Sequence, residues 1–154
     1  MASPFFAHGI IFKPDTEQVL LYKAASDVNG SWSLVGGLGQ DDESPEKAFQ
    51  RAAQEVVQLR LAASDIVPVY DYFHTSLDRH QHVYVVYTRS DKPLAARKGY
   101  VIAWFSFKEI TKLGLDPQIK QDIIVSQRVI NAKVREIAAE IAEEEARNNP
   151  TPAV

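Results

Sequence analysis

The stretch that most constrains the fold runs from Trp32 to Leu61 and reads WSLVGGLGQDDESPEKAFQRAAQEVVQLRL. Ser44 followed by Pro45 marks a helix start, a hydroxyl cap with proline at the first helical position. From there Ala48, Phe49, Ala52, Ala53, Val56, Val57 and Leu59 recur at helical spacing, so one face of the helix must be covered by another element. Arg51, Gln54 and Glu55 fall at its polar border, and Arg51 and Glu55, one turn apart, can pair. Before the helix, Gly36 and Gly37 permit positive φ and close approach of a ligand to the backbone, Gly39 extends that freedom, and Asp41, Asp42 and Glu43 make the loop acidic. Taken without further context, these are also the ingredients of an ordinary loop and a solvated helix pair.

The spacing Gly37, five residues, Glu43, seven residues, Arg51, and then Glu55 resembles the Nudix (MutT-like) box, G-x5-E-x7-R-E-U-x-E-E-x-G-U with U aliphatic. Trp32 ahead of the glycines and the aromatic strand near the chain end also resemble that family. The resemblance covers nearly the whole chain and implies an α+β fold, a Nudix-type α/β/α sandwich with a mixed central sheet and a long C-terminal helix. It further implies hydrolysis of a nucleoside diphosphate linked to another group, with Mg2+ or Mn2+ held against the diphosphate.

The chemistry of the pattern rests on three glutamates at i, i+3 and i+4 of one helix face, hard oxygen ligands that hold magnesium and activate water. In this chain those places hold Ala52, Glu55 and Val56; Gln58 replaces the helix-ending glycine and Val35 the proline before the double glycine. The box is degenerate. Carried over residue by residue, the resemblance makes Glu55, Arg51 and Glu43 the catalytic candidates. Glu55 and the Gly36 carbonyl become candidate metal ligands, and Lys23, Gly36 and Gly37 candidate substrate contacts. For Lys23, an exposed lysine at a strand end is the plainer alternative. Loop carboxylates at Asp41, Asp42 or Glu43 are the available substitutes for the lost glutamates.

Around this stretch, Phe5 to Phe12 and Gln18 to Ala24 read as a hairpin turning at Pro14-Asp15, and Ala25 to Ser31 as a polar loop, a candidate pocket wall. Ile66 to Thr75 and His82 to Thr88 read as a second hairpin. Tyr70, Tyr72, Phe73, Tyr84 and Tyr87 on these strands are expected mainly to pack across strands, with stacking on a nucleobase the alternative. His80 and His82 share a strand face, and His74 is expected opposite them. Solvated histidines are the plain reading and a metal or phosphate site the sharper one.

Arg89 to Lys98 is a basic, proline-containing loop, expected to be a solvated surface segment, with contact to phosphates or RNA the alternative. Tyr100 to Phe107 is a late strand leading into a short helix at Lys108-Glu109-Ile110. Glu109 is either a helix-start carboxylate favoured by the dipole or, by the resemblance, a further catalytic group. From Gln118 to Asn148 a single helical pattern carries Ile119, Ile123, Ile130, Val134, Ile137 and Ile141 as one apolar stripe. Its second half outruns what one small domain needs and is expected to meet a second subunit, making a homodimer.

A chain of 154 residues with 45% hydrophobic composition is expected to form one domain over residues 1–147, followed by a flexible tail over 148–154. A net charge of −3 and a pI near 5.8 leave no electrostatic footprint for nucleic acid or an anionic membrane. The absence of cysteine excludes disulfides, thiolate metal sites and cysteine nucleophiles. No signal peptide or membrane span is expected, and the cytoplasm is the expected compartment. Function then divides between a divalent-metal-dependent hydrolase, an inactive Nudix-fold module that binds a nucleotide or a protein, and a dimerisation domain built on the long helix.

Overall fold

The computed structural model describes residues 4–27, 30–40, 42–88 and 93–148. Six strands form one sheet: β1 (Phe5–Lys13), β2 (Gln18–Ala24), β3 (Val35–Leu38), β4 (Val67–His74), β5 (Arg79–Tyr87) and β6 (Tyr100–Ser106). Helix α1 (Pro45–Val57) follows β3, the short α2 (Phe107–Ile110) follows β6, and α3 (Pro117–Asn148) ends the described chain. The sheet order is β4-β5-β1-β2-β6, with β3 pairing the first half of β1 and β2 pairing its end.

β1 runs parallel to β5 over Phe5↔His80 to Phe12↔Tyr87, and the other strand pairs are antiparallel, so the sheet is mixed as expected. Both expected hairpins are present. The first is paired only at Phe12↔Val19 and Lys13↔Gln18, because β3 takes the same edge of β1 over Phe6 to Gly9 and Ser33 bridges β2 at Tyr22, while the other edge of β2 pairs β6 along seven residues.

Alternation along β1 sends successive side chains to opposite helices. Ala7 and Ile11 join Leu20, Val35 and Tyr84 beneath Phe49, Ala52, Ala53 and Val56 of α1. Ile10 and Phe12 join Val19, Leu21 and Val85 beneath Ile110, Ile123 and Ile130 of α2 and α3. At about 25 cal/mol per Å2 of apolar surface removed from water, these two cores are the main source of stability.

The Ser44 hydroxyl accepts from the Lys47 N–H at 3.3 Å, with Pro45 in the first turn, so α1 starts where the sequence places it. It ends on Gln58 in the left-handed conformation, φ 56°. The Gln58 and Leu59 N–H groups close back onto the Gln54 and Ala53 carbonyls, the geometry that a glycine would adopt more easily.

The 32 residues of α3 span about 48 Å at 1.5 Å per residue, but burial stops at Ile130. Val134, Ile137 and Ile141 remain 36%, 40% and 51% exposed, and they form the surface on which the sequence reading places a second subunit. Helix α3 includes Asn148, and the rest of the expected tail lies outside the described residues. Among the described residues no helix is long and apolar enough to cross a membrane.

Candidate functional site

The loop between β3 and α1 is tied down by one side chain. Arg51 donates from Nε to Glu43 Oε2 at 3.0 Å, and from Nη2 to Glu43 Oε1 at 3.1 Å and to the Leu38 carbonyl at 2.6 Å. The Gln40 N–H adds a further bond to Glu43 Oε1 at 3.0 Å. The Arg51 guanidinium beside Glu43 holds that carboxyl below the usual glutamate range. Glu55 meets Arg51 only at 3.5 Å, and its side chain is 52% exposed. Arg51, Glu43 and Glu55 are thus brought together as the box pattern requires.

The donor set does not fit a divalent cation. Ala52 and Val56 are 1% and 3% exposed and belong to the core beneath the sheet. Both oxygens of Glu43 are engaged, Asp42 is exposed on the loop, and Asp41 lies outside the described residues. Of the three helix positions that carry the pattern's glutamates, only Glu55 offers a carboxylate, whereas hard divalent cations need several oxygens.

The glycines act differently from expectation. Neither Gly36 nor Gly37 has positive φ; both lie in extended β3. A Cβ on Gly36 would sit 2.4 Å from His8 Cβ and 2.6 Å from the Ala7 carbonyl oxygen, so close strand packing is what requires glycine there. On Gly37 a Cβ would meet Ala52 and Arg51 at ordinary distances of 3.5 and 3.7 Å, which places this residue directly over the box helix.

Lys23 shares the strand parity of Val19 and Leu21, toward α3, and its ammonium sits 4.6 Å over the Trp32 ring. The sheet therefore separates it from Arg51 and Glu55. Glu109 is engaged in a reciprocal cap: it accepts from the Ser106 N–H at 3.0 Å, while its own N–H donates to Ser106 Oγ at 3.1 Å. Of the basic loop, residues 89–92 lie outside the described residues; beyond them, Leu94 packs on the α1 core.

On the α3 side of the sheet is a cavity of about 700 Å3, walled by Phe6, Leu34 and Ile119 and bearing Arg79, Gln81 and Asp122. Asp122 is fully buried. It accepts from the Tyr70 hydroxyl, from His8 Nε2 at 2.8 Å, from the Tyr72 hydroxyl at 3.0 Å and from Gln118 Nε2 at 3.2 Å. Because an ionised carboxylate only accepts, His8 Nε2 carries the proton in this contact.

Burial alone would raise the Asp122 pKa, but the bonds from His8 and Tyr70 outweigh it and leave the group below the ordinary carboxylate range. Burial, then the Asp122 charge, pushes the Tyr72 phenol up to about 12 and the Tyr70 phenol higher still. Arg79 lies 4.5 Å over the Phe6 ring and donates from Nε to Gln81 Oε1 at 3.0 Å. Apolar walls around a few converging polar groups are the usual form of a small-molecule site.

Sequence reasoning missed this constellation. The available signals were Asp122 on the inward face of α3, between Ile119 and Ile123, and His8 and Gln81 at inward positions of apolar strands.

An α/β/α sandwich with an arginine-pinned loop and helix defines a class, and comparison with known proteins identifies it. A family model described as the NUDIX domain matches residues 6–125, and the chain belongs to that family, the Nudix superfamily. No curated protein matches it in sequence.

Solved structures share the fold at low identity. A MutT/nudix family protein from Listeria innocua superposes with TM-score 0.68 at 17% identity, covering 86% of this chain and 97% of that one. The NUDIX domain of Shewanella oneidensis NrtR, complexed with ADP ribose, gives 0.68 at 16%, covering 84% and 90%. The C-terminal domain of mouse MUTYH, in complex with human PCNA, gives 0.66 at 15%, covering 84% and 91%. The chain spans 44% of the length of a longer MutT/nudix family protein from Enterococcus faecalis.

Proposed function

We propose that this chain binds a nucleoside diphosphate derivative, and that recognition rather than turnover by the family's magnesium or manganese route is its principal activity. The state of the box carries this reading: Ala52 and Val56 are core side chains, Glu43 is spent on Arg51, and Glu55 is the one carboxylate left at the three helix positions of the pattern. Metal-assisted attack of water on phosphorus needs more oxygen ligands than that.

The cavity on the α3 side supports recognition. Phe6, Leu34 and Ile119 suit a flat ring, and Arg79 supplies a cation for an anionic group. The four donors on Asp122 match the acceptor capacity of a carboxylate, so its role is to aim Tyr70, Tyr72 and His8 rather than to contact the ligand. NrtR, of the same fold, is complexed with ADP ribose, which belongs to the ligand class proposed here.

Weak hydrolysis is the second reading. It is favoured by Glu55, which stands open at the helix border beside Arg51.

The test is a panel of nucleoside diphosphate derivatives, ADP-ribose included, followed by calorimetry, thermal shift and product release with and without Mg2+ or Mn2+. The expected result is saturable binding without turnover, with stabilisation of about 2.7 kcal/mol at a hundredfold excess over Kd. Arg79→Ala is expected to weaken binding while the fold persists. Metal-dependent turnover that disappears in Glu55→Gln would replace this reading with the second. Neither binding nor turnover across the panel would sink both.

A further inference from the structure

We propose that Asp71, His80 and His82 form a binding site for a divalent transition-metal ion of the zinc class, at the sheet edge on the α1 side. The site is separate from the box and rests on none of the box residues.

The ladder between β4 and β5 builds it. Asp71 stands opposite His82, and Phe73 stands opposite His80. Strand alternation therefore puts Asp71, His80 and His82 on one face. His74 pairs with Arg79 on the opposite face, where its Nδ1 accepts from the Leu77 N–H at 3.3 Å. The structure thus corrects the sequence expectation: the third group beside the two imidazoles is a carboxylate, not His74.

The geometry suits a metal. The imidazole centroids are 4.8 Å apart, and His80 Nε2 lies 2.6 Å from Asp71 Oδ1. One ligand atom from each of the three residues falls within 4.8 Å of the others. Zinc bonds of about 2.0–2.2 Å ask for ligand atoms about 3.4 Å apart in a tetrahedron. The side chains of Asp71 and His80, 59% and 39% exposed, have room to close that difference.

His82 is the fixed member. Its ring packs edge-on against Phe5 with centroids 5.8 Å apart, and the same Phe5 ring fills the space over Gly39 of the box loop.

Two imidazoles are borderline ligands, and joined by a single carboxylate they favour zinc, nickel or cobalt over magnesium, which prefers an all-oxygen set. Three protein ligands leave a coordination position for water or an anionic ligand.

The test uses the full chain stripped with a chelator and titrated with Zn2+, Co2+ and Mg2+, read by calorimetry, by Co2+ absorption and by the ring-nitrogen NMR signals of His80 and His82. The expected result is one equivalent of Zn2+ bound with a dissociation constant of about 10 µM or tighter, and no comparable binding of Mg2+. His82→Gln and Asp71→Asn should each weaken Zn2+ by about tenfold or more, while His74→Gln leaves it unchanged. The ring-nitrogen signals report the site in the unmutated chain, so a variant that misfolds does not decide the matter. Absence of Zn2+ binding at roughly 100 µM, or binding that leaves those signals unmoved, would overturn the proposal.

Discussion

Arg51 holds Glu43 through two near-parallel hydrogen bonds, Nε to Oε2 at 3.0 Å and Nη2 to Oε1 at 3.1 Å. The same guanidinium reaches the Leu38 carbonyl at 2.6 Å, so a single side chain of α1 fastens both ends of the preceding loop. In a box stripped of two glutamates this pair has a structural role that does not depend on metal.

Arg51→Ala should therefore destabilise the fold by about 1–2 kcal/mol, since charge-assisted bonds are worth more than neutral ones but this pair is partly exposed. For a domain of this size that corresponds to a fall in Tm of roughly 2–8 °C. Arg51→Lys, a point charge that cannot form the fork, should recover only part of it. An unchanged Tm in Arg51→Ala would show that the loop is held by other contacts.

Acid should act through Asp122. Its folded pKa lies below the ordinary carboxylate range, so the unfolded chain takes up the proton first as pH falls. The stability it contributes is complete above that unfolded pKa and disappears as pH drops through the folded value. Asp122→Asn should cost about 3 kcal/mol at pH 7, because His8, Tyr70 and Tyr72 lose a buried charged acceptor. Denaturant unfolding at several pH values should show this gap shrinking below the ordinary carboxylate range. A gap that stays constant down to strongly acid pH would count against the assignment.

Gln58 carries the left-handed turn at the end of α1 with φ 56°. A side chain there costs about 1–2 kcal/mol, partly offset by the greater unfolded-state entropy of glycine. Gln58→Gly should therefore stabilise by about 0.5–1 kcal/mol, visible as a rise in Tm. A lower Tm would mean that the glutamine side chain contributes more than its backbone costs.

Restoring the missing carboxylates tests the box directly. Ala52 and Val56 are core positions, so Ala52→Glu with Val56→Glu should destabilise the metal-free chain by about 3 kcal/mol or more. Mg2+ or Mn2+ should return part of that loss, because a metal that binds only the folded state stabilises it. Thermal unfolding with and without metal decides the point. An equal destabilisation under both conditions would show that the α1 face no longer admits a cation.

Much of the architecture is legible locally. Helix α1 starts at Pro45 because Ser44 caps it, and the hairpins follow from alternating apolar runs separated by turn residues. The same local signals left the glycines misread: Gly36 is needed for the approach of His8, a contact between residues 28 positions apart, and not for a positive φ.

By itself the sequence determined the class of fold, the position of the box and the loss of its glutamates, since periodicity, caps and spacing are properties of neighbouring residues. The tertiary structure decided which strands meet. The parallel pairing of β1 with β5 places Phe6 beside Gln81, and the packing of α3 on the sheet brings Asp122 to His8 across 114 positions. It likewise set Asp71, and not His74, beside His80 and His82. Such contacts depend on register and sheet order, which come from the burial of both faces of the whole sheet and leave no mark in any one segment.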